Sequence, residues 1–560
     1  MMKSRSYLFC ILFGILLMLS SLGLAEAVKA QDVRVKNANP DQTANPAVKL
    51  KKPDTLHVLR LGLDAASPGT FDPHFAAMSQ DRVVADMIFN GLVRYKPGHA
   101  PLIEPDLAEM FPESEIIDGK QVWTVKLRKG VMFHRSPATK PYELTADDVV
   151  YSFQKASDPK RSAYAGEYSG MTFKKADKYT VRIIMEKPLS SILFLSKITN
   201  YAGGFIVSKK AVEVMGDELF RTQPVGTGPF EFGGYISEAK IRLKANEQYF
   251  RGRPLLDGVE VLYIPDLGDR EQGLMTGELD VIRGSIETGR TKSWKKKGVI
   301  VDVHGVGQSM IVYFNMTKKP LNDLRVRRAI AWALDRDKFL SLVGEGVGEN
   351  VYSIVPPQLL PGGLTKDEVK ALSMDYTLDL EKARKLLAQA GYPKGFSLEV
   401  VTSEMGVYRK TYKSMGEQLG RIGIDIKIKV VDHSTMHKEI RQDVNPIVVY
   451  NAWRPNADVF LTRFFHSDSI VVTGAKPDTN FSHYDKIDDL IEAARLETEP
   501  GRQIELWKQA QIKILADMAA YPLHYYNIVH PRRNYVKYGH EVVATMALYP
   551  QITEKTRIVK

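Results

Sequence analysis

Apolar and polar residues alternate with a period of two in three well-separated stretches, and each predicts a half-buried strand. Leucine fills one face of Leu59-Arg60-Leu61-Gly62-Leu63. Trp123, Val125 and Leu127 repeat in the same way, and Ile424, Ile426, Ile428 and Val430 alternate with Asp425, Lys427 and Lys429. Elsewhere the spacing lengthens to three or four. Val326, Ile330, Ala333 and Leu334 predict a helix running roughly from Leu324 to Val343. Leu380, Ala383, Leu387 and Ala390 predict another, with Gly391 placed as its C-terminal stop. Leu490, Ile491 and Ala494 mark a third helix, and Pro500-Gly501 an interruption. Ile504, Trp507, Ala510 and Ile514 mark a fourth. The pattern is mixed α/β, without internal repeats.

Before these elements, Tyr7 to Leu24 is almost wholly apolar behind Lys3 and Arg5, and Ala25, Ala27 and Ala30 follow. This predicts an export signal over residues 1–30, cleaved after Ala27 or Ala30. An uncleaved anchor is the alternative, since the stretch is near spanning length. Cys10 is the one cysteine and lies inside this signal, behind bulky Tyr7-Leu8-Phe9, which do not suit a lipoprotein cleavage site. A soluble periplasmic product without thiols or disulfides is expected. Residues 31–55, with Pro40, Pro46 and Pro53, read as a flexible leader. The 560-residue length allows two to four domains. The net charge of +11 is spread along the chain rather than blocked, which argues against nucleic acid as a partner.

The sequence carries no Gly-x-Ser-x-Gly elbow, no Gly-Lys-Ser/Thr phosphate loop and no dinucleotide fingerprint, so neither an enzyme nor a cofactor is expected. His433 and His437, four apart behind Asp432, are the best metal candidate. They lack the Glu of zinc hydrolases and an evident third ligand, and read as two solvated histidines opening a surface helix. His524 and His530, six apart, match no simple shared face. The run Tyr450-Asn451-Ala452-Trp453-Arg454-Pro455-Asn456-Ala457-Asp458 is rich in hydrogen-bonding groups and aperiodic. A ligand-contacting loop and an ordinary buried turn both fit that composition.

The order of several short segments resembles one family. Pro68-Gly69-Thr70-Phe71-Asp72-Pro73, Leu127-Arg128-Lys129-Gly130-Val131 with Phe133-His134, and Leu144-Thr145-Ala146-Asp147-Asp148-Val149 come first. Gly226-Thr227-Gly228-Pro229-Phe230, Gly277-Glu278-Leu279-Asp280, Val326-Arg327-Arg328-Ala329-Ile330 and Ala390-Gly391-Tyr392-Pro393 follow. Over roughly Leu56 to Tyr538 the chain resembles the extracytoplasmic solute-binding proteins of the peptide/nickel type (family 5) that serve ABC importers.

The resemblance implies a two-lobed periplasmic-binding-protein fold with a hinge and an extra third domain. Lobe I is expected over 56–98, 225–305 and 520–560, the extra domain over 99–224 and lobe II over 306–519. The hinge crossings then fall near Val306 and Ala519. A monomer is expected that encloses a small-molecule ligand and docks on a membrane permease. Tyr450, Asn451, Trp453, Arg454, Asn456 and Asp458, with Gln308 and Ser309 near the first crossing, are the expected ligand contacts. Peptide-binding members carry an Asp where Trp453 stands here, and that Asp neutralises the peptide ammonium. Its replacement, with Arg454 beside it, points away from free-N-terminus peptides and toward modified amino acids, opine-like conjugates or oligosaccharides, while the resemblance itself keeps oligopeptides among the expected ligands. An exported metal carrier, or more remotely a hydrolase, is the rival.

Overall fold

In the computed structural model, residues 57–559 are described, apart from Glu238, Glu345 and Ala547. The expected signal, Cys10 and the leader lie outside them. Thr55–Lys560 is one compact unit.

Its centre is a nine-stranded sheet built around two long neighbours, Ile300–Phe314 and Ala520–Arg532. They pair antiparallel from Ile300↔Arg532 to Tyr313↔Ala520. The register shifts between His304 and Gln308, where the partner strand advances only from Ile528 to Tyr526. Extra residues on one strand of a pair bend it and sharpen its twist. At one end of this ribbon, Ile447–Ala452 pairs with the first strand. At the other, Val281–Ile282 pairs with the second and runs parallel to Val58–Leu63, which is parallel in turn to Gly258–Tyr263. Val306 therefore lies inside the first long strand, and Ala519 immediately precedes the second.

The ribbon's side chains divide by parity. Met310, Val312 and Phe314 enter one core with Ile330, Leu398 and Ile424, while Ile311 and Tyr313 enter another with Phe464, Phe481 and Trp507. A third core joins Leu59, Leu61 and Leu63 to Trp123, Phe153 and Phe194. Trp123 stacks on Phe194 at 4.1 Å, within the region of a four-stranded sheet formed by Glu113–Ile117, Lys120–Lys126, Thr180–Met185 and Met171–Asp177.

Most periodic segments form the predicted elements: strands Val58–Leu63, Lys120–Lys126 and Ile424–Val431, and a helix over Leu380–Gln389. Gly391 follows that helix at φ +93°, a conformation that suits glycine. Two boundaries differ. The segment from Leu324 divides into Leu324–Ala333 and Arg336–Leu340. Leu334 leaves the helical conformation after the first helix, and Asp335 caps the next, accepting the Asp337 N–H at 3.0 Å. Pro500 opens Pro500–Ala516 instead of merely interrupting, with Glu499 accepting the Gly501 N–H at 2.9 Å.

Candidate functional site

The strand Ile447–Ala452 delivers the predicted ligand stretch to the ribbon's edge, and strand parity sorts its side chains. Val448, Tyr450 and Ala452 enter the aromatic core, so Tyr450 is buried against Phe481 at 5.2 Å and Phe464 at 5.9 Å. Asn451 projects to the other face. Its amide donates to Gln308 Oε1 at 2.9 Å and to the Tyr526 hydroxyl, which itself donates to Gln308 Oε1 at 2.7 Å. These three side chains come from three adjacent strands at the register shift. Ser309, pointing the other way, is buried between Tyr525 and Ala452 with no hydrogen-bond partner on Oγ.

Beyond the strand, Asn456 caps the helix Ala457–Phe465 by accepting the Val459 N–H at 2.9 Å. Asp458, in its first turn, pairs with Arg495 at 3.2 Å. Burial raises the Asp458 pKa, and Arg495 opposes that shift. Arg454 lies over the Phe464 ring at 4.9 Å and donates to the Trp453 carbonyl at 2.7 Å. No ion pair joins Arg454 to a carboxylate among the described residues, and burial lowers its pKa. Trp453 meets the edge of Tyr201 at 5.7 Å, and Arg82 sits over the other ring of that pair at 4.8 Å. Around them Tyr95, Ala100, Ala544 and Met546 form a small apolar cluster that also takes in Leu359. This cluster, together with Ser190 donating to Gln503 at 2.7 Å, ties the 99–224 segment to the 306–519 segment.

The pair His433 and His437 corrects the sequence reading. His433 does open a helix, His433–Arg441, but the pair is half-buried rather than solvated and packs beside the candidate stretch. Nε2 of His437 lies 3.1 Å from Nε2 of His433, and the His437 ring is 5.6 Å from Tyr450. Arg441 donates to the Tyr450 hydroxyl at 3.2 Å. Burial, then His433 and Arg441, hold the His437 pKa down to about 4. Among the described residues no third His, Cys, Asp or Glu completes a metal-ligand group with them. His530, for its part, meets a histidine distant in sequence, His304, at 2.9 Å.

Sequence reasoning did not find Tyr526, Tyr201 or Arg82. Tyr526 reaches the site from a neighbouring strand, Tyr201 by packing on Trp453 and Arg82 by lying over Tyr201, and no local spacing marks them.

Residues 103–470 match the family described as bacterial extracellular solute-binding proteins, family 5 Middle. The chain is 29% identical over 499 residues to the dipeptide-binding protein of Escherichia coli K12, covering 84% of this chain and 90% of that protein. Among solved structures it is similar to MoaA of A. tumefaciens R10 in complex with mannopinic acid. That likeness has 35% identity and a TM-score of 0.73, and covers 90% of this chain and all of that one. It is also similar to the Helicobacter pylori periplasmic binding protein DppA in complex with the peptide STSA, at 27% identity and TM-score 0.70, over 90% of this chain and 98% of that one.

Proposed function

The chain belongs to the family 5 bacterial extracellular solute-binding proteins, which serve ABC transporters, and from that premise we propose that its solute is a small organic acid of the opine type rather than a free-N-terminus peptide. The observation that carries this reading is the pairing of Asp458 with Arg495. Asp458 is the one carboxylate between Ile447 and Asp458, and a partner already holds it, whereas Arg454 nearby pairs with no carboxylate among the described residues. An ammonium placed beside Trp453 would be desolvated without a counter-charge, which costs several kcal/mol, on the order of a buried unpaired ion. A carboxylate there finds a guanidinium suited to bidentate contact. The likeness to MoaA over most of the chain supports the same ligand class.

In this reading Gln308, Asn451, Trp453 and Arg454 contact the solute, and Tyr450, Ser309, Asn456 and Asp458 hold the frame. The two lobes close at the register shift between His304 and Gln308, opposite Tyr526 to Ile528. The solute shifts the equilibrium by binding the closed form better than the open one. Residues 1–30 direct export and are removed, the mature protein is a periplasmic monomer, and it performs no catalysis. No helix among the described residues is long and apolar enough to cross a membrane.

Native mass spectrometry of the protein purified from the periplasm, followed by calorimetry with mannopinic acid and with Ala-Ala, tests the ligand class. A single retained non-peptide acid and binding of mannopinic acid are expected. A heterogeneous set of retained peptides, or binding of Ala-Ala alone, overturns the reading.

A further inference from the structure

Arg283 follows the short strand Val281–Ile282, at the carboxyl end of the parallel group that it forms with Val58–Leu63 and Gly258–Tyr263. In open α/β sheets, that end of the parallel strands is where ligands collect. The neighbouring position beyond Leu63 is Asp64, whose carboxylate is taken by the Tyr549 hydroxyl at 2.8 Å. The Arg283 main chain is fixed by its N–H on the Gly62 carbonyl at 3.2 Å, and its side chain by Nη1 on the Leu548 carbonyl at 3.2 Å.

Half-buried, Arg283 forms no ion pair with a carboxylate among the described residues. Its charge reaches four rings: Tyr526 and Tyr549, whose pKa values burial raises and Arg283 lowers, and His304 and His530, which burial and Arg283 both keep neutral. Tyr526 is the phenol bonded to Gln308 and Asn451 at the register shift. Beside it the Gly284 N–H donates to the Val529 carbonyl at 2.9 Å, which sets Arg283 against the long strand Ala520–Arg532, three residues along from Tyr526 of the polar triad. A guanidinium offers five N–H donors, and one carbonyl bond is a small use of them. Tethering Leu548 requires a donor but no charge, and a partly desolvated cation without a counter-ion is destabilising.

We propose that Arg283 is an anion-binding residue at the base of the cleft, taking a carboxylate of the solute between itself and the Tyr526–Gln308–Asn451 triad. As a statement of ligand class this rests on the acidic-solute reading above, but the site itself is separable from it. The carboxylate would touch groups on both sides of the hinge, so it is bound fully only when the lobes are together. That difference is what a ligand needs to favour closure.

Two probes and three variants test this in the full mature protein. Mannopinic acid is titrated by calorimetry. Malonate is titrated by thermal shift against sodium chloride of equal ionic strength. The variants are Arg283→Gln, Arg283→Lys and, as a control, Arg290→Gln, since Arg290 is bound to Glu271 and Glu287 at the surface. The expected results are a loss of 30-fold or more in mannopinic acid affinity for Arg283→Gln, a smaller loss for Arg283→Lys, and none for the control. The malonate-dependent rise in melting temperature is expected to disappear in Arg283→Gln. If Arg283→Gln does not fold, Arg283→Lys carries the test through the same two readouts. Should mannopinic acid fail to bind the parent while the malonate response still depends on Arg283, the site stands and the opine-type reading falls. Equal binding by Arg283→Gln and the parent, an unchanged malonate response, or a parent indifferent to both probes overturns the proposal.

Discussion

The Nε2 atom of His304 and the Nδ1 atom of His530 are hydrogen-bonded at 2.9 Å across the two long strands, both rings fully buried, next to the register shift. The His304 Nδ1–H donates to the Gly305 carbonyl at 3.0 Å, which leaves its Nε2 as the acceptor for His530. His530 lies tilted against the Tyr549 ring at 5.1 Å, and its own Nε2 has no partner. The bond cannot form with both imidazoles protonated, and burial disfavours the charge of either.

The pair makes stability sensitive to acid. Burial holds His304 down to about 4 and, with His304 beside it, holds His530 well below its ordinary value. The unfolded chain, with histidines near 6.5, binds more protons than the folded one between these limits. Their contribution is fully present above about pH 6.5 and is lost as pH falls toward 4. Each group adds a slope of at most about 1.4 kcal/mol per pH unit within that window. Melting temperature measured from pH 7.5 to 4.5 should fall steeply, and His530→Leu should flatten the slope while lowering stability at pH 7.5. A parallel profile for the variant would show that the pair does not titrate on unfolding.

Trp453 and Tyr201 bring together segments more than two hundred residues apart, through an edge-to-face contact at 5.7 Å. Such pairs contribute about 0.5–1.5 kcal/mol beyond area burial. If the contact belongs to the closed form, its loss weakens ligand affinity by roughly 2- to 12-fold. Calorimetry on Trp453→Ala, Tyr201→Ala and the double variant should show coupling, with the double loss smaller than the product of the single losses. Strict additivity would separate the two residues.

Asp458 and Arg495 give a prediction about stability. Replacing Arg495 by Gln leaves a nearly buried carboxylate without its cation, and burial already raises the Asp458 pKa. The expected cost is about 1–3 kcal/mol, below the fully buried range because Arg495 is partly exposed. Adding Asp458→Asn to Arg495→Gln should recover part of the lost melting temperature, since an amide needs no counter-charge. A double variant less stable than Arg495→Gln would mean that Asp458 is held by something other than charge.

The strands over Val58–Leu63, Lys120–Lys126 and Ile424–Val431 were legible in the sequence because each buries one face, and burial writes a period of two. The division at Leu334 was hidden, since Asp335 reads as one more polar residue until its capping bond is seen. In the site, the contiguous stretch from Tyr450 was visible but its parity was not. Val448, Tyr450 and Ala452 share one buried face while Ile447 and Val449 are buried on the other, so the run shows no polar alternation that would separate Tyr450 from Asn451. Tyr526 and Tyr201 had no such signal, because long-range pairing and packing alone bring them to the stretch.

Those long-range contacts supply the last prediction. The Tyr526 hydroxyl donates to Gln308 and accepts from Asn451, so one atom links three adjacent strands where the ribbon bends. Tyr526→Phe keeps the ring and removes both bonds. It leaves the Asn451 amide with Gln308 alone, at 2.9 Å. At about 0.5–1.5 kcal/mol for each lost bond, the stability cost is about 1–3 kcal/mol. Gln308→Ala removes the shared acceptor instead and should cost a similar amount, while the double variant should cost little more than either, because both changes dismantle one network. Chemical denaturation of the three proteins measures this directly. Full additivity would mean that the phenol and the amide act independently, and the register shift would then be held by backbone pairing rather than by the triad.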